Sequence, residues 1–198
     1  MKRRNSAGSL MVTLLIPVAI AINMVGGQMT SVLSLPIALD MIGVLLVGAL
    51  AGTVLAVITA VLTNLLNGML DPSWIPYVIC SFFIGLTIGL LAKCNMMNRI
   101  WKAAISGVLI ALVATVTSTF VTVFFFGGIS GGGSAMIIAG LLATGQQLVQ
   151  SVFSVYIVTE LVGKLISTFV AYFIIKAISD RTLLKFPYGS KYIVRKTG

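Results

Sequence analysis

From Leu10 to Ile178 the chain is a succession of apolar stretches: Leu10 to Val25, Ile37 to Leu66, Tyr77 to Ala92, Ala103 to Phe126 and Gln146 to Ile178. Only short polar breaks separate them. In lipid such stretches satisfy their backbone groups as helices, and about 20 apolar residues cross the hydrocarbon core. No room remains for a separate soluble unit, so residues 1–198 are expected to form a single all-α, polytopic transmembrane domain. Composition points the same way: 59% of residues are hydrophobic and 9% charged, against about 45–50% and about 25% in soluble domains.

The formal charge is +9, from 13 basic and 4 acidic residues. A nucleic-acid footprint is a patch or stripe of bases on a folded surface. Here the bases instead fall in three short blocks between apolar stretches: Lys2 to Arg4, Lys93 to Lys102, and Lys176 to Lys196. That is a topology signal, and cytoplasmic segments are the ones rich in Lys and Arg. It decides how the long stretch Ile37 to Leu66 crosses. A single crossing gives five spans and leaves nine bases on the outer side, whereas a turn near Ala51-Gly52-Thr53 gives six spans and leaves twelve of thirteen inside. The expected architecture therefore has six transmembrane helices with both termini cytoplasmic. Two short, tilted helices, Ile37 to Ala51 and Thr53 to Leu66, make the second and third. Gly48, Gly52, Ala56 and Ala60 recur every four positions. On one straight helix they would make a small-residue packing ridge, which favours the single crossing, but the charge asymmetry outweighs it.

Several chemistries are excluded. Histidine is absent, which removes imidazole metal ligands and His general bases. Cys80 and Cys94, if on one helix, are separated by about 21 Å of rise, too far to pair within it. The run GGISGGGS, Gly127 to Ser134, lacks the Lys-Ser/Thr ending of a phosphate-binding loop and falls on the expected outer face. It reads as a flexible loop or as a lid, followed by a short surface helix over Ala135 to Ala143. No nucleophile motif, metal-ligand spacing or cofactor motif occurs, so neither an enzyme nor a cofactor protein is expected. A cleaved signal peptide is not expected either, because membrane segments follow the first apolar run.

Two polar sets remain as candidate sites. Glu160 and Lys164 fall inside the last span at i,i+4, with the acid first, and can pair along one helix face. Ions inside a membrane are expensive, so they either lock helices together or face a wet cavity. The second set gathers at expected outer ends: Gln28, Asp40, Asn64, Asn67, Asp71, Trp74 and Tyr77, with Gln146, Gln147 and Gln150 at the start of the last span. A binding pocket needs apolar walls and a few converging polar groups, which this set could supply. Trp74 also reads as an interface anchor, the common role of Trp at the headgroup level.

The six short spans, basic N-terminus, polar first outer loop and glycine-rich outer loop before the last helix form a pattern, carried by LPIALDMIGVLLVGALAG at Leu35 to Gly52, by VLTNLLNG through WIPYVICSFFIGLTIGLLAK at Val61 to Lys93, and by TELVGKLISTFVAYFIIKAI at Thr159 to Ile178. It resembles the substrate-binding S components of energy-coupling factor transporters, in the branch with the riboflavin-type components and relatives of unassigned substrate. The resemblance implies a vitamin-like micronutrient bound near the outer face, with the first outer loop as part of a lid. It further implies a cell-membrane protein partnered by a transmembrane T subunit and two cytoplasmic ATPases, which would hydrolyse the ATP. The family commonly docks on its T subunit through Ala-x-x-x-Ala on the first helix. Here the nearest match is Pro17-x-x-x-Ala21, so docking falls to Pro17, Ala19 and Ala21, with Ala19 and Ala21 on different faces. Two other classes stay open: an ion-coupled secondary transporter or channel using Glu160 and Lys164, and a membrane scaffold in which the pair only joins helices.

Overall fold

The computed structural model describes residues 2–193, with the side chains of 10–131 and 133–193. The side chains of Lys2, Arg3 and Arg4, and the whole of Arg195 and Lys196, members of the first and last basic blocks, lie outside the described residues. The helices are α1 Lys2–Val32, α2 Ile42–Ala51, α3 Thr53–Leu70, α4 Val78–Lys93, α5 Ile100–Phe126, α6 Gly132–Ala143, α7 Leu148–Ala177 and the short α8 Asp180–Leu183. Single 3-10 turns span Pro72–Tyr77 and Gly189–Tyr192, and no strand occurs among the described residues. Five stretches are long and apolar enough to cross a membrane: Leu10–Val32, Thr53–Leu70, Pro72–Lys93, Ile100–Phe126 and Leu148–Ala177. Their outward faces carry large apolar side chains such as Leu14, Val54, Phe120 and Phe173, as lipid-facing helices do.

The stretch Ile37 to Leu66 divides at Gly52, whose φ of 99° and ψ of −178° only glycine adopts without strain. The helix before the break differs from the expected Ile37 to Ala51, because α2 begins only at Ile42 and has ten residues. Ten residues rise about 15 Å, half the hydrocarbon thickness. The missing turn has a physical cause. Gly163 of α7 leaves room for the Ala38 backbone to lie directly against it. Asp40 then reaches Lys164, 3.3 Å away. A charged tertiary contact outweighs the few tenths of a kcal/mol per residue that helix propensity supplies, roughly.

Close backbone approach organises the rest. A Cβ on Gly89 would run into the Thr53 backbone, and one on Gly85 would stand 3.0 Å from Val57 Cα, so α4 lies directly on α3. α5 packs along α7, and α2 touches α1, α3, α4 and α7 at once. Gly43 presses on the Ala19 backbone of α1. There the fully buried Asn23 accepts the Gly43 N–H at 2.6 Å and donates to Thr63 Oγ1 at 3.2 Å. One amide thereby satisfies an orphan donor at the start of α2 and ties α1, α2 and α3 together. At the opposite end of α2, Tyr188 N–H donates to the Leu50 carbonyl at 3.1 Å and its ring covers Gly52. Leu183, Phe186 and Tyr192 pack into the same core.

Candidate binding cavity

At the end of the bundle opposite Lys93, Arg99, Lys102 and Lys176, the helices open around a cavity of about 270 Å³. Its floor and one wall come from the non-helical stretch Leu35–Met41. Irregular backbone at membrane depth is tolerated where it lines such a cavity. α7 supplies Tyr156, Thr159, Glu160 and Lys164, the 71–77 turn supplies Trp74 and Tyr77, and the glycine-rich segment supplies Ser130, Gly131, Gly133 and Ser134.

The charged centre is a triad. Lys164 is 2% exposed, and its Nζ lies 3.3 Å from Asp40 Oδ1 and 3.3 Å from Glu160 Oε2. The i,i+4 spacing brings Glu160 to Lys164, and the unwound start of α2 brings Asp40. Asp40 sits just before the first turn of α2, where unpaired N–H groups favour negative charge. Glu160 Oε2 has no hydrogen-bond partner beyond this ion pair. Nearby, Asn64 is 3% exposed and lines the cavity, with its Nδ2 unpartnered.

A second device holds the glycine-rich segment at the cavity. The Tyr77 and Thr122 hydroxyls share a hydrogen bond of 2.6 Å, Thr122 and Tyr156 one of 2.8 Å, and Ser130 and Tyr156 one of 3.2 Å. This relay fastens the glycine-rich loop to α5 and α7. Gly127, Gly128 and Gly131 all take positive φ, which lets the loop reverse before α6, and the helix there begins at Gly132, earlier than the expected Ala135. Gly133 lies against the Ser34 carbonyl and Leu35, so the glycine-rich segment meets the segment after α1 beside the cavity.

The residues singled out in the sequence fall in three places. Asp40, Asn64, Asp71, Trp74, Tyr77, Glu160 and Lys164 line the cavity. Gln28 and Asn67 are not in its lining. Instead Gln28 Nε2 donates to Asn67 Oδ1 at 3.3 Å, joining α1 to α3 next to Gly27. Gln147 and Gln150 are exposed at the start of α7 and do not reach the cavity, because the turn after α6 holds that end of the helix clear of it. On α1, Pro17 and Ala21 are exposed, while Ala19 is fully buried against Gly43 and presents nothing for docking. Sequence reasoning passed over Tyr156, Ser118 and Asn23. For the α5 hydroxyls a signal existed: Thr115, Ser118, Thr119 and Thr122 fall at i, i+3, i+4 and i+7, and all four are buried on one face.

No family model matches the chain, and no curated protein or solved structure matches it significantly.

Proposed function

We propose that this chain is the membrane-embedded binding subunit of a nutrient importer, of the energy-coupling factor S-component kind, and not an enzyme. It sits in the cell membrane with six crossings and cytoplasmic termini. In this reading α2 and the stretch before it together make the second crossing, so the half-length helix does not change the count. The cavity opens outward and takes up a small vitamin-like molecule under the two outer loops. A transmembrane T subunit and two cytoplasmic ATPases supply the energy, in keeping with a chain that carries no phosphate-binding loop.

The observation that carries the reading is one cavity in which a buried ion triad, an indole and an unpartnered amide converge under a loop held by a hydroxyl relay. A packing core has no use for this combination, since unpaired buried polar atoms cost stability and are kept where something binds. The triad is also what an ion-coupled carrier would use, and the two readings separate by experiment. The chain purified alone is heated, and the released small molecules are identified by mass spectrometry. In parallel it is reconstituted in vesicles and assayed for flux. A stoichiometric nutrient without unaided flux supports the capture role. Ion-driven flux by the isolated chain establishes the carrier instead, and no ligand with no flux leaves a scaffold.

A further inference from the structure

Three of the four acidic residues in the whole chain, Asp40, Asp71 and Glu160, line this cavity, and among the basic residues whose side chains are described only Lys164 does. A chain with a formal charge of +9 has thus gathered nearly all its negative charge around one small space. Asp71 is exposed and its Oδ1 accepts the Ser73 N–H at 3.0 Å, so two carboxylates face one ammonium, and that ammonium is already committed: its Nζ is buried and sits 3.3 Å from both Asp40 and Glu160. It has little left to offer an incoming anion. The N-terminal end of α2 contributes about half a unit of positive charge, which does not balance the excess.

We infer that the ligand of this cavity carries a cationic nitrogen, a protonated amine, amidine or alkylated ring nitrogen, that docks between Asp40 and Glu160. The inference rests on the capture reading and narrows it to a charge class. Excess negative charge in a poorly hydrated site is costly until a counter-charge arrives, so binding and neutralisation coincide. Trp74 supports the same choice, because an indole face attracts cations and planar rings. Asn64 Nδ2, buried and unpartnered at the wall, adds a donor for one acceptor elsewhere on the molecule. Ligands whose anchoring group is a phosphate or carboxylate are disfavoured, since that group would meet Asp40 and Glu160 with the lysine spoken for. An inorganic cation is the other source of positive charge. No cluster of three or more His, Cys, Asp or Glu able to hold a metal occurs among the described residues.

The wild-type chain in lipid nanodiscs decides the matter in two readouts. The first is the charge at neutral pH of whatever small molecule co-purifies. The second is equilibrium dialysis against tryptamine and indole-3-propionate, which share a ring and differ in the sign of their charge, first at fixed sodium and then with sodium raised. A co-purified organic cation, or retention of tryptamine over indole-3-propionate, is expected. Asp40→Asn, assayed at a temperature where thermal unfolding shows it folded, should weaken the retained cation about tenfold to a hundredfold, the worth of one charge-assisted hydrogen bond. A co-purified anion, or indole-3-propionate held as tightly as tryptamine, overturns the charge assignment and leaves capture standing. Displacement of all binding by sodium alone overturns it in favour of an inorganic ion. Nothing co-purified, with neither probe retained, removes the capture reading itself.

Discussion

Asp40 and Lys164 are 124 positions apart in the chain and 3.3 Å apart in space. The contact joins the unwound entrance of α2 to the middle of α7, and it is why the helix expected from Ile37 starts at Ile42. Breaking a buried pair by removing one partner costs about 3–5 kcal/mol. Lys164→Met should therefore lower the thermal midpoint of the detergent-purified protein markedly. Adding Asp40→Asn and Glu160→Gln to the same chain should recover part of the loss. A single variant as stable as wild type would mean that the triad does not hold α2 in place.

Orientation can be read from the two native cysteines. Cys94 is exposed in the basic loop between α4 and α5, and Cys80 is buried beside the cavity. With cytoplasmic termini and six crossings, a membrane-impermeant maleimide should label Cys94 only in inside-out vesicles, and a Gln147→Cys, Cys94→Ser chain only in right-side-out ones. The reverse pattern would invert the topology, and labelling of both from one side would remove the single crossing of α5 between them.

Gly52 should resist substitution. Its backbone angles strain any residue with a Cβ by about 1–3 kcal/mol, and an added methyl would stand 2.7 Å from the Tyr188 ring. Gly52→Ala is expected to lower the unfolding temperature and to speed tryptic cleavage at the exposed Lys185 as the tail lifts. Gly140→Ala, where nothing lies within 4 Å of the added methyl, serves as the control and should change neither.

The two tryptophans separate the ends of the molecule. Trp74 lines the cavity, and Trp101 is 53% exposed at the start of α5, near the basic loop. In a Trp101→Phe chain the remaining indole should shift or lose emission when the co-purified ligand is restored to the emptied protein. A Trp74→Phe chain should show no change. Equal responses from the two would put the ligand somewhere other than this cavity.

Much of this architecture could be read from the residues, for specific reasons. Apolar length and the placement of bases do not depend on tertiary contacts, so the helices and the break at Gly52 could be inferred from local pattern. Glu160 and Lys164 meet through helical spacing alone. Asp40 could be seen to belong at the outer end, but not that it would pair with Lys164, because that contact crosses the fold. Gln147 and Gln150 had the right chemistry and depth, yet the path of the turn after α6 decides whether they face the cavity, and no local pattern encodes it. Asn23 was legible only as a lone amide in an apolar span. Its bond to Gly43 N–H depends on α2 beginning where it does.

Gly85 and Gly89 bring α4 onto the backbone of α3, and Gly107 brings α5 against Leu165 of α7. Helices in such contact cannot slide or tilt against each other without opening a void or forcing a clash, so each pair behaves as a stiff rod. The cavity lies along the seam between these two rods. Any breathing that admits a molecule must be taken up there and in the loops above. On the proposed capture role, a guest would also be a spacer, its size setting the angle at which the rods come to rest.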